Sequence, residues 1–371
     1  MYRLSKNFCI APDRNGRLAG FLRDSGSRLN LQSWFYRALL DLGQGGAFTE
    51  SAFATALTQH FPTGEPIPDP SELLHELVRL GVFWPAEQWN RFEAANAPPW
   101  LDWEKHGWVS AKLFHDSIVY SKFLMGDSEG RREQLEASED IHQSGEGPPP
   151  VKFYPNVLQR VPLPQSSPPL QKNFAHVLLR RRTCRLFESA RPITRDVLAS
   201  ILFHAAKAQM MCPSRYFGVE IKRTTPSGGS RHPVEIYPQV FDSPDGMDGS
   251  FYYDCIEHSL VRLGDTAREH MYELCQRQVA LTRNFLVFLV TVRFARNYWK
   301  YRYPKSYLFS LFDVGHFVQT LILVCEASGL RCFLTPALDV EAAQRHLGLE
   351  NIYDECPVYF LVAGYSSDAH T

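Results

Sequence analysis

The second half of the chain contains several segments of helical hydrophobic periodicity. Apolar residues recur every three or four positions in NFAHVLLRRR and in ITRDVLASILFHAAKAQ, where Thr194 is a candidate N-cap, and both patterns predict amphipathic helices. HSLVRLGDTAREHMYELCQRQVAL, from His258, is interpreted as one or two further helices. FDVGHFVQTLILVCEASG predicts a largely buried helix that ends at Gly329.

Three segments between these helices predict strands. VEIYPQVF, from Val234, alternates apolar and polar residues, which is typical of a strand. NFLVFLVTVRF and PVYFLVAGY are continuous apolar runs of the kind found in strands that are buried on both faces. Because strands are mixed with long apolar helices without strict β–α–β alternation, the predicted fold class is α+β.

The N-terminal part reads as a separate, mostly helical unit. LQSWFYRALLDLG, TESAFATALTQHF and PDPSELLHELVRLG predict three short helices, with Thr49, Pro70 and Ser71 at helix starts. A candidate strand over Gly81–Trp84 follows, and this order suits a winged-helix-like domain. No helix here is rich in Lys or Arg, so the pattern does not favour DNA binding.

The two regions are joined by a stretch of mixed character. The aromatic segment 98–123 predicts a helix, whereas the charged segment 126–147, the prolines 148–150 and the Pro-rich segment 161–170 are candidate linkers. The predicted organisation is therefore an N-terminal domain over 1–95, a connecting region over 96–171 and a C-terminal domain over 172–371.

Composition and charge narrow the possible functions. The net charge of −1 argues against nucleic acid or an anionic membrane as a partner, and the longest apolar runs are about eight residues. The N-terminus lacks the apolar stretch of a secretory signal, so we expect a cytoplasmic protein. The eight cysteines form no CxxC pair, which predicts reduced thiols and no metal, with a structural metal site as the weaker alternative.

Arginines cluster at the end of the helix predicted before residue 183. Arg180, Arg181, Arg182 and Arg185 flank Thr183 in a nearly neutral protein. Guanidinium groups match phosphate oxygens in pairs, and the Thr hydroxyl can bond a phosphate or a sugar hydroxyl. The alternative is a solvated set of cations that complements the helix dipole.

A glycine-containing turn precedes the strand at Val234. Pro226, Ser227, Gly228 and Gly229 form a segment that can approach a flat ligand closely and bond its edge. An ordinary turn before a strand is the competing interpretation. Of the histidines, His232, which lies beside this turn, is the candidate for a functional role.

Lys300 and Tyr301 lie in the aromatic segment YWKYRYP. Burial and neighbouring Arg are expected to lower the pKa of the Lys, and the nearby cation to lower that of the phenol, which would give a tuned acid–base pair. A Tyr-rich surface or interface with cation–π contacts is the alternative. Asp313 in the long apolar helix is interpreted as a cap or interface residue rather than as a base.

The order of these three clusters resembles a known family. RRTCRLF is similar to the flavin-phosphate motif of nitroreductases, and PSGGSRHPVEIY is similar to their Pro-Ser-x-Gly motif. WKYRYPKSYLFSLFDVGHFVQTLILVCEASGL, LFHDSIVYSKF and FYPNVLQRVPLP resemble the SagB-type dehydrogenases, which oxidise thiazolines and oxazolines in ribosomally made peptides to azoles. The resemblance covers about 110–365. It implies a nitroreductase-like FMN fold, an antiparallel-rich sheet wrapped by helices.

The resemblance also implies roles for individual residues. Lys300 and Tyr301 match the catalytic Lys-Tyr pair, and the family implies a homodimer with two FMN at its interface. One departure is that no Arg or Lys follows Gly364, where many members place a phosphate-binding cation; Arg180, Arg231 or the partner subunit are candidate substitutes. The implied FMN contacts are Arg181, Arg182, Thr183, Arg185, Pro226, Ser227, Gly228, Gly229, Thr335 and Pro336.

Three functions remain open on these residues. The first is a peptide dehydrogenase in which the ring loses a hydride to FMN and a proton to Lys300 or Tyr301. The second is an NAD(P)H-dependent reductase of nitro, ene or dehydroamino-acid groups. The third is a flavin-free scaffold that binds a precursor peptide and a cyclase or other maturation partner. The N-terminal domain either binds a leader peptide by strand addition to its wing, or it covers the catalytic core or extends the dimer.

Overall fold

The computed structural model of the chain divides into two compact units, Met1–Leu124 and Met125–Thr371. It describes residues 1–5, 8–12, 18–22, 28–44, 46–62, 66–92, 94, 106–118, 128–154, 157, 159–167, 169–170, 172–187, 191–279, 281 and 285–366.

The N-terminal unit contains the three predicted helices and more strand than expected. The helix predictions are confirmed as α1 (Ser33–Gln44), α2 (Glu50–His60) and α3 (Pro70–Arg79), followed by a helix over 86–92 (α4) and by α5 (Val109–Ile118). Thr49 caps α2, and Asp69 caps α3 by accepting bonds from two backbone amides. The strands are β1 (Tyr2–Leu4), β2 (Phe8–Pro12), β3 (Leu18–Leu22), β4 (Arg28–Asn30) and β5 (Phe83–Pro85).

These strands form two small antiparallel sheets, β1 with β5 and β2-β3-β4. Strand β5 includes the end of the predicted 81–84 strand, and its Phe83 is buried with Phe53 and Leu57 in the core of this unit. The first four strands were not predicted because each has only three to five residues, too few to show a clear alternation.

The charged segment expected to be a linker contains a helix. Residues Ser128–Gln143 form the 16-residue helix α6, in which Arg132 lies 3.7 Å from Glu129 and 3.8 Å from Glu136. Pairs of opposite charge three and four residues apart stabilise an exposed helix without much apolar burial. The segment was predicted as a linker because it is polar, although charge pairs allow it to form helix α6. Of the helix predicted over 98–123, residues 98–105 and 119–123 lie outside the described residues.

The C-terminal unit is built on a seven-stranded sheet in the order β13-β14-β12-β9-β10-β11-β6, and every pairing in it is antiparallel. This confirms the predicted α+β class and its antiparallel-rich sheet. The strands are β6 (Arg160–Pro162), β9 (Val234–Val240), β10 (Gly249–Asp254), β11 (Ser259–Gly264), β12 (Phe285–Arg293), β13 (Arg331–Thr335) and β14 (Glu355–Gly364), and a separate hairpin joins β7 (Met210–Ser214) to β8 (Gly218–Lys222).

Strand β12 shows why the sheet is buried on both faces. Its residues Phe285–Val292 are all buried, and alternate side chains enter two different core clusters. The helices of this unit are α7 (Phe174–Arg180), α8 (Arg195–Ala205), α9 (Arg268–Leu274), α10 (Ala295–Tyr298), α11 (Ser306–Ala327) and α12 (Val340–Leu347). Among the described residues, α11 alone has the length and apolarity of a membrane span, but half of its apolar window is buried inside the chain, as in a core helix.

One helix prediction in this unit was wrong. The segment from His258 begins with strand β11, and only Arg268–Leu274 of it is helical. Over so short a run, the apolar positions Leu260, Val261 and Leu263 fit both the helical and the strand periodicity. The segment forms a strand because it pairs with β10 and β6. The seven cysteines whose side chains are described are free, and five of them are buried, as expected.

Candidate functional site

The segment that carries Lys300 and Tyr301 is anchored by a buried arginine. Arg296 in α10 is 1% exposed, and its guanidinium pairs with the Glu235 carboxylate on β9. It also donates to the carbonyl oxygens of His232, at 2.8 Å, and Pro149, at 3.1 Å. One side chain therefore ties the start of the Lys300 segment to the glycine loop that ends at His232.

The glycine loop is held from the opposite side by Asp313. The Ser227 hydroxyl donates to Asp313 Oδ2 at 2.5 Å, and the Gly228 amide donates to Oδ1 at 3.3 Å. The His232 amide in turn donates to Ser227 Oγ at 2.8 Å. Asp313 was expected to be a cap or an interface residue, and since it lies well inside α11 the cap interpretation is wrong; within the chain it fixes the conformation of the loop.

Gly229 is the point of contact between the loop and the Lys-Tyr pair. Its φ is +57°, and a Cβ built on it would lie 2.3 Å from Tyr301 Oη and 2.8 Å from Lys300 Nζ. Lys300 Nζ donates to the Gly229 carbonyl oxygen at 3.4 Å. The two motifs, 71 residues apart in sequence, thus form one centre that only glycine permits. Gly228, in contrast, has no atom within 4 Å of its would-be Cβ and opens outward.

The β7–β8 hairpin completes this centre with residues that were not predicted from the sequence. Lys300 Nζ lies 3.9 Å from the ring centroid of Phe217 and 3.7 Å from Glu220 Oε1. The same Glu220 oxygen lies 3.4 Å from a guanidinium nitrogen of Arg231. A lone Glu in a short strand carries no sequence signal of this role, because its partners come from distant segments.

The environment acts on the two candidate acid–base groups in opposite directions. Burial lowers the pKa of Lys300, and the positive charge of Arg231 lowers it further, as expected. Burial raises the pKa of Tyr301 and the neighbouring Tyr303 adds to this, so the expectation of a lowered phenol pKa was wrong. Desolvation outweighs the effect of the cations on the phenol. The amine is thus brought closer to its neutral form, while the phenol keeps its proton.

His232 does not act as a titrating group near neutral pH. It is 5% exposed, and burial together with the charges of Arg223 and Arg296 lowers its pKa to about 3. Its backbone takes part in the loop through the bonds to Ser227 and Arg296 already described. Asp313 is also affected by burial, which raises the pKa of its carboxyl group.

The arginine cluster lies elsewhere, along the edge strand β13. The Cys184 amide donates to the Cys332 carbonyl oxygen at 2.9 Å, and Thr183 forms a bridge with Cys332. The Arg185 guanidinium lies 4.9 Å from the ring centroid of Phe333. Within the described ranges, no carboxylate oxygen lies within 4.0 Å of the guanidinium groups of Arg181, Arg182 or Arg185.

Thr335 and Pro336 follow at the end of the same strand. Thr335 is buried and its hydroxyl donates to Gln278 Oε1 at 2.9 Å, whereas Pro336 is exposed. Cys332 and Thr335 are three positions apart in this strand, a distance of about 10 Å. The arginine cluster and the Thr-Pro pair therefore share one edge.

The arginine edge and the glycine-loop centre are separate within one chain. Strands β13 and β9 are three positions apart in the sheet, which corresponds to about 14 Å across the strands. Cys332 is level with Val240, whereas the glycine loop precedes Val234 at the other end of β9, about 20 Å further along the strand direction. No hydrogen bond or ion pair joins the two groups in the part of the chain that the structure describes. Of the suggested substitute cations, Arg231 belongs to the loop centre. A cation that was not suggested, Arg191, lies 3.7 Å from the ring centroid of Tyr365, directly after Gly364.

Comparison with known proteins agrees with this architecture. The chain is 29% identical over 140 residues to the trifolitoxin-processing protein TfxB of Rhizobium leguminosarum bv. trifolii, a match that covers 36% of this chain and 38% of TfxB. It is 29% identical over 158 residues to "Putative nitroreductase MJ1384" of Methanocaldococcus jannaschii, covering 42% of this chain and 73% of that protein. The chain thus spans well under half the length of TfxB.

Among solved structures, the E. coli microcin synthetase McbBCD complex with truncated pro-MccB17 is similar with a TM-score of 0.42 and 16% identity, covering 67% of this chain and 86% of that chain. The family description "Nitroreductase family" matches residues 178–365, from within α7 to the residue after β14. This match takes in the arginine edge, the glycine loop and the Lys300 segment, and the chain belongs to the nitroreductase family.

Proposed function

We propose that this chain is an FMN-dependent dehydrogenase that oxidises azoline rings to azoles during maturation of a ribosomally made peptide. The observation that carries the proposal is the position of Lys300. Its amine is half-buried, contacts the glycine loop at Gly229 and has a lowered pKa. A reductase that takes hydride from a nicotinamide has no need of such a base, whereas a dehydrogenase that removes a proton does.

The residues of the arginine edge fit a phosphate group. Arg181, Arg182 and Arg185 lie together without a described carboxylate partner, and Thr183 adds an exposed hydroxyl. Gly228 offers open space and an exposed backbone surface for a flat ring. We therefore assign the phosphate and ribityl chain to Arg181, Arg182, Thr183 and Arg185, and the ring to Pro226–Gly229 with Thr335 and Pro336. Bound FMN would supply the hydride acceptor.

Because the two groups of residues lie apart within one chain, we also propose that the site is completed across a homodimer. A twofold arrangement would place the glycine loop of one subunit near the arginine edge of its partner.

The chain's own chemistry is the removal of a proton. An azoline ring becomes an azole by losing one hydride and one proton and gaining one C=C bond. Neutral Lys300 would take the proton, and the resulting ammonium would be stabilised by the Glu220 carboxylate 3.7 Å away. Tyr301 would remain protonated and orient the ring by donating a hydrogen bond.

The substrate class is supported by a relative. TfxB is named for the processing of trifolitoxin. We propose by analogy a precursor peptide as substrate, other maturation enzymes such as a cyclase as partners, and a cytoplasmic location. The N-terminal unit, with its small β1–β5 sheet, would offer a strand edge to a leader peptide.

The test is to incubate the protein with FMN and a thiazoline-containing peptide and to follow the peptide mass. Loss of two hydrogen atoms per ring, absent without the protein, would support the proposal. If the peptide stays unchanged while NAD(P)H is consumed with a nitro or ene acceptor, the chain is a reductase instead. Failure to retain any flavin would favour a peptide-binding scaffold.

A further inference from the structure

A large cavity is lined in part by Tyr301, the residue whose hydroxyl approaches the glycine loop. Its volume is about 580 Å³, which is within the range of small-molecule sites. Six aromatic side chains line it, together with Ile352 and Cys356. They are Phe294, Tyr298, Tyr301, Tyr303, Tyr307 and Tyr353.

Tyr301 belongs to both the cavity and the proposed reaction centre. Its ring forms part of the cavity wall, while its hydroxyl is the atom that approaches Gly229. Lys300 is its neighbour in the chain. Lys300 Nζ lies 5.8 Å from the ring centroid of Tyr301, so the amine that would take the proton is close to the cavity wall.

The walls are pre-formed by contacts between rings. Phe294 and Tyr307 stack with centroids 5.1 Å apart and an interplanar angle of 17°. Tyr301 and Tyr303 meet edge to face at 6.2 Å. Burial raises the pKa of both Tyr301 and Tyr303, so this part of the wall is uncharged. At the mouth, Tyr353 is 82% exposed and Ile352 is 39% exposed, so a ligand can enter from solvent.

We propose that this cavity is a subsite for an aromatic or branched aliphatic side chain of the peptide, next to the residue that is oxidised. This inference rests on the proposed function for the identity of the ligand as a peptide. Aromatic walls favour a flat or branched apolar group, because edge and face contacts add to the burial of its surface. Among the described residues that line the cavity, the one cation is Arg302, which is exposed and donates to the Ser144 hydroxyl and the Trp299 carbonyl oxygen.

Blocked single amino acids test the cavity without requiring turnover. The full-length protein is titrated with N-acetyl amides of Phe, Leu, Ala and Glu, and binding is followed by ligand-observed NMR. We expect the Phe and Leu amides to bind about tenfold or more tighter than the Ala amide, from the burial of the larger side chain. Alkylation of Cys356, read by peptide mass spectrometry, should be slowed by the Phe amide and not by the Ala amide.

A variant that places a negative charge at the mouth of the cavity tests whether its apolar lining selects the ligand. Ile352→Asp should abolish the preference for the Phe amide, whereas Leu135→Asp, at a 54% exposed position on α6, should leave it unchanged. Equal affinity for all amides, preference for the Glu amide, or insensitivity to Ile352→Asp would overturn the proposal. The proposal would also be overturned if the amides bind at low protein concentration but not at concentrations where the chain forms a dimer. A second copy of the chain would then cover the cavity.

These results are independent of the proposed reaction. If the Phe amide binds selectively but no peptide is oxidised, the subsite stands and the chemistry is revised. If azolines are oxidised and the amides bind equally, the dehydrogenase stands and the subsite is wrong.

Discussion

The glycine-loop centre and the arginine edge differ in how their side chains are held. In the centre, the loop and Lys300 are fixed by Asp313, Arg296 and Glu220 through hydrogen bonds and ion pairs inside the protein. At the edge, Arg182 bonds only the nearby carbonyl oxygens of Leu179 and Arg181 among the described residues. The first arrangement is pre-organised for chemistry, and the second leaves positive charge for a ligand to neutralise.

The largest expected effect comes from breaking the anchor of the centre. Arg296→Met would leave the Glu235 carboxylate buried without its partner, which costs about 3–5 kcal/mol of unfolding free energy. Chemical denaturation measures this change. The matched control, Arg345→Met in an exposed pair with Glu341, should cost less than about 1 kcal/mol. Equal losses for both would contradict the anchoring role of Arg296.

A smaller but more local change is an added methyl group at Gly229. Gly229→Ala would push Lys300 and Tyr301 away from the loop, and displacement of a reacting group by about 1 Å can cost about 100-fold in rate. Gly246→Ala is the control, since Gly246 has a similar φ of +67° but no atom within 4 Å of its would-be Cβ. Both variants carry the same backbone strain, so only the first should lose azoline oxidation.

The arginine edge is probed by flavin retention. Removing one charge-assisted bond to phosphate in Arg182→Gln or Arg185→Gln should weaken FMN binding about tenfold to a hundredfold. Lys300→Ala should leave FMN binding within about threefold, since Lys300 is assigned to the proton of the substrate and not to the phosphate. Fluorescence titration with FMN gives both constants. If Lys300→Ala loses as much FMN affinity as the arginine variants, the two regions do not differ in their contribution to FMN binding.

The smallest effect is a shift in pH dependence. Glu220 favours the charged form of Lys300, so Glu220→Gln should lower the pKa of that amine. Because the neutral amine is the base, the rate rises as pH increases through this pKa, and the rising limb should move to lower pH in the variant. Competitive labelling of Lys300 with an amine reagent across pH measures the same shift without turnover. Movement to higher pH would exclude Glu220 as the relevant carboxylate.

The sequence was most informative where a pattern is local. The long apolar helix and the two continuous apolar strands were predicted because their burial shows in consecutive residues, as in Phe285–Val292. Gly229 and Lys300 were both selected from their motifs, and the structure places them in contact. Whether the selected residues act on a flavin stays a prediction.

The sequence was least informative where partners come from distant segments. Glu220 stands in a five-residue strand, and its meeting with Lys300 depends on the tertiary fold. Asp313 was assigned to a cap or interface because its helix is apolar, while its partner Ser227 lies 86 residues away. The direction of the Tyr301 pKa was misjudged because burial was given less weight than the neighbouring cation.

The most direct test of the account is anaerobic mixing of flavin-loaded protein with a thiazoline peptide, in the absence of NAD(P)H, for the unmodified protein and for Lys300→Ala. The account predicts that the visible flavin absorbance is lost with the unmodified protein. In Lys300→Ala it should persist, although flavin and peptide still bind. If both proteins lose the absorbance at the same rate, Lys300 is not the base; if neither does so and NAD(P)H alone bleaches them, the chain is a reductase.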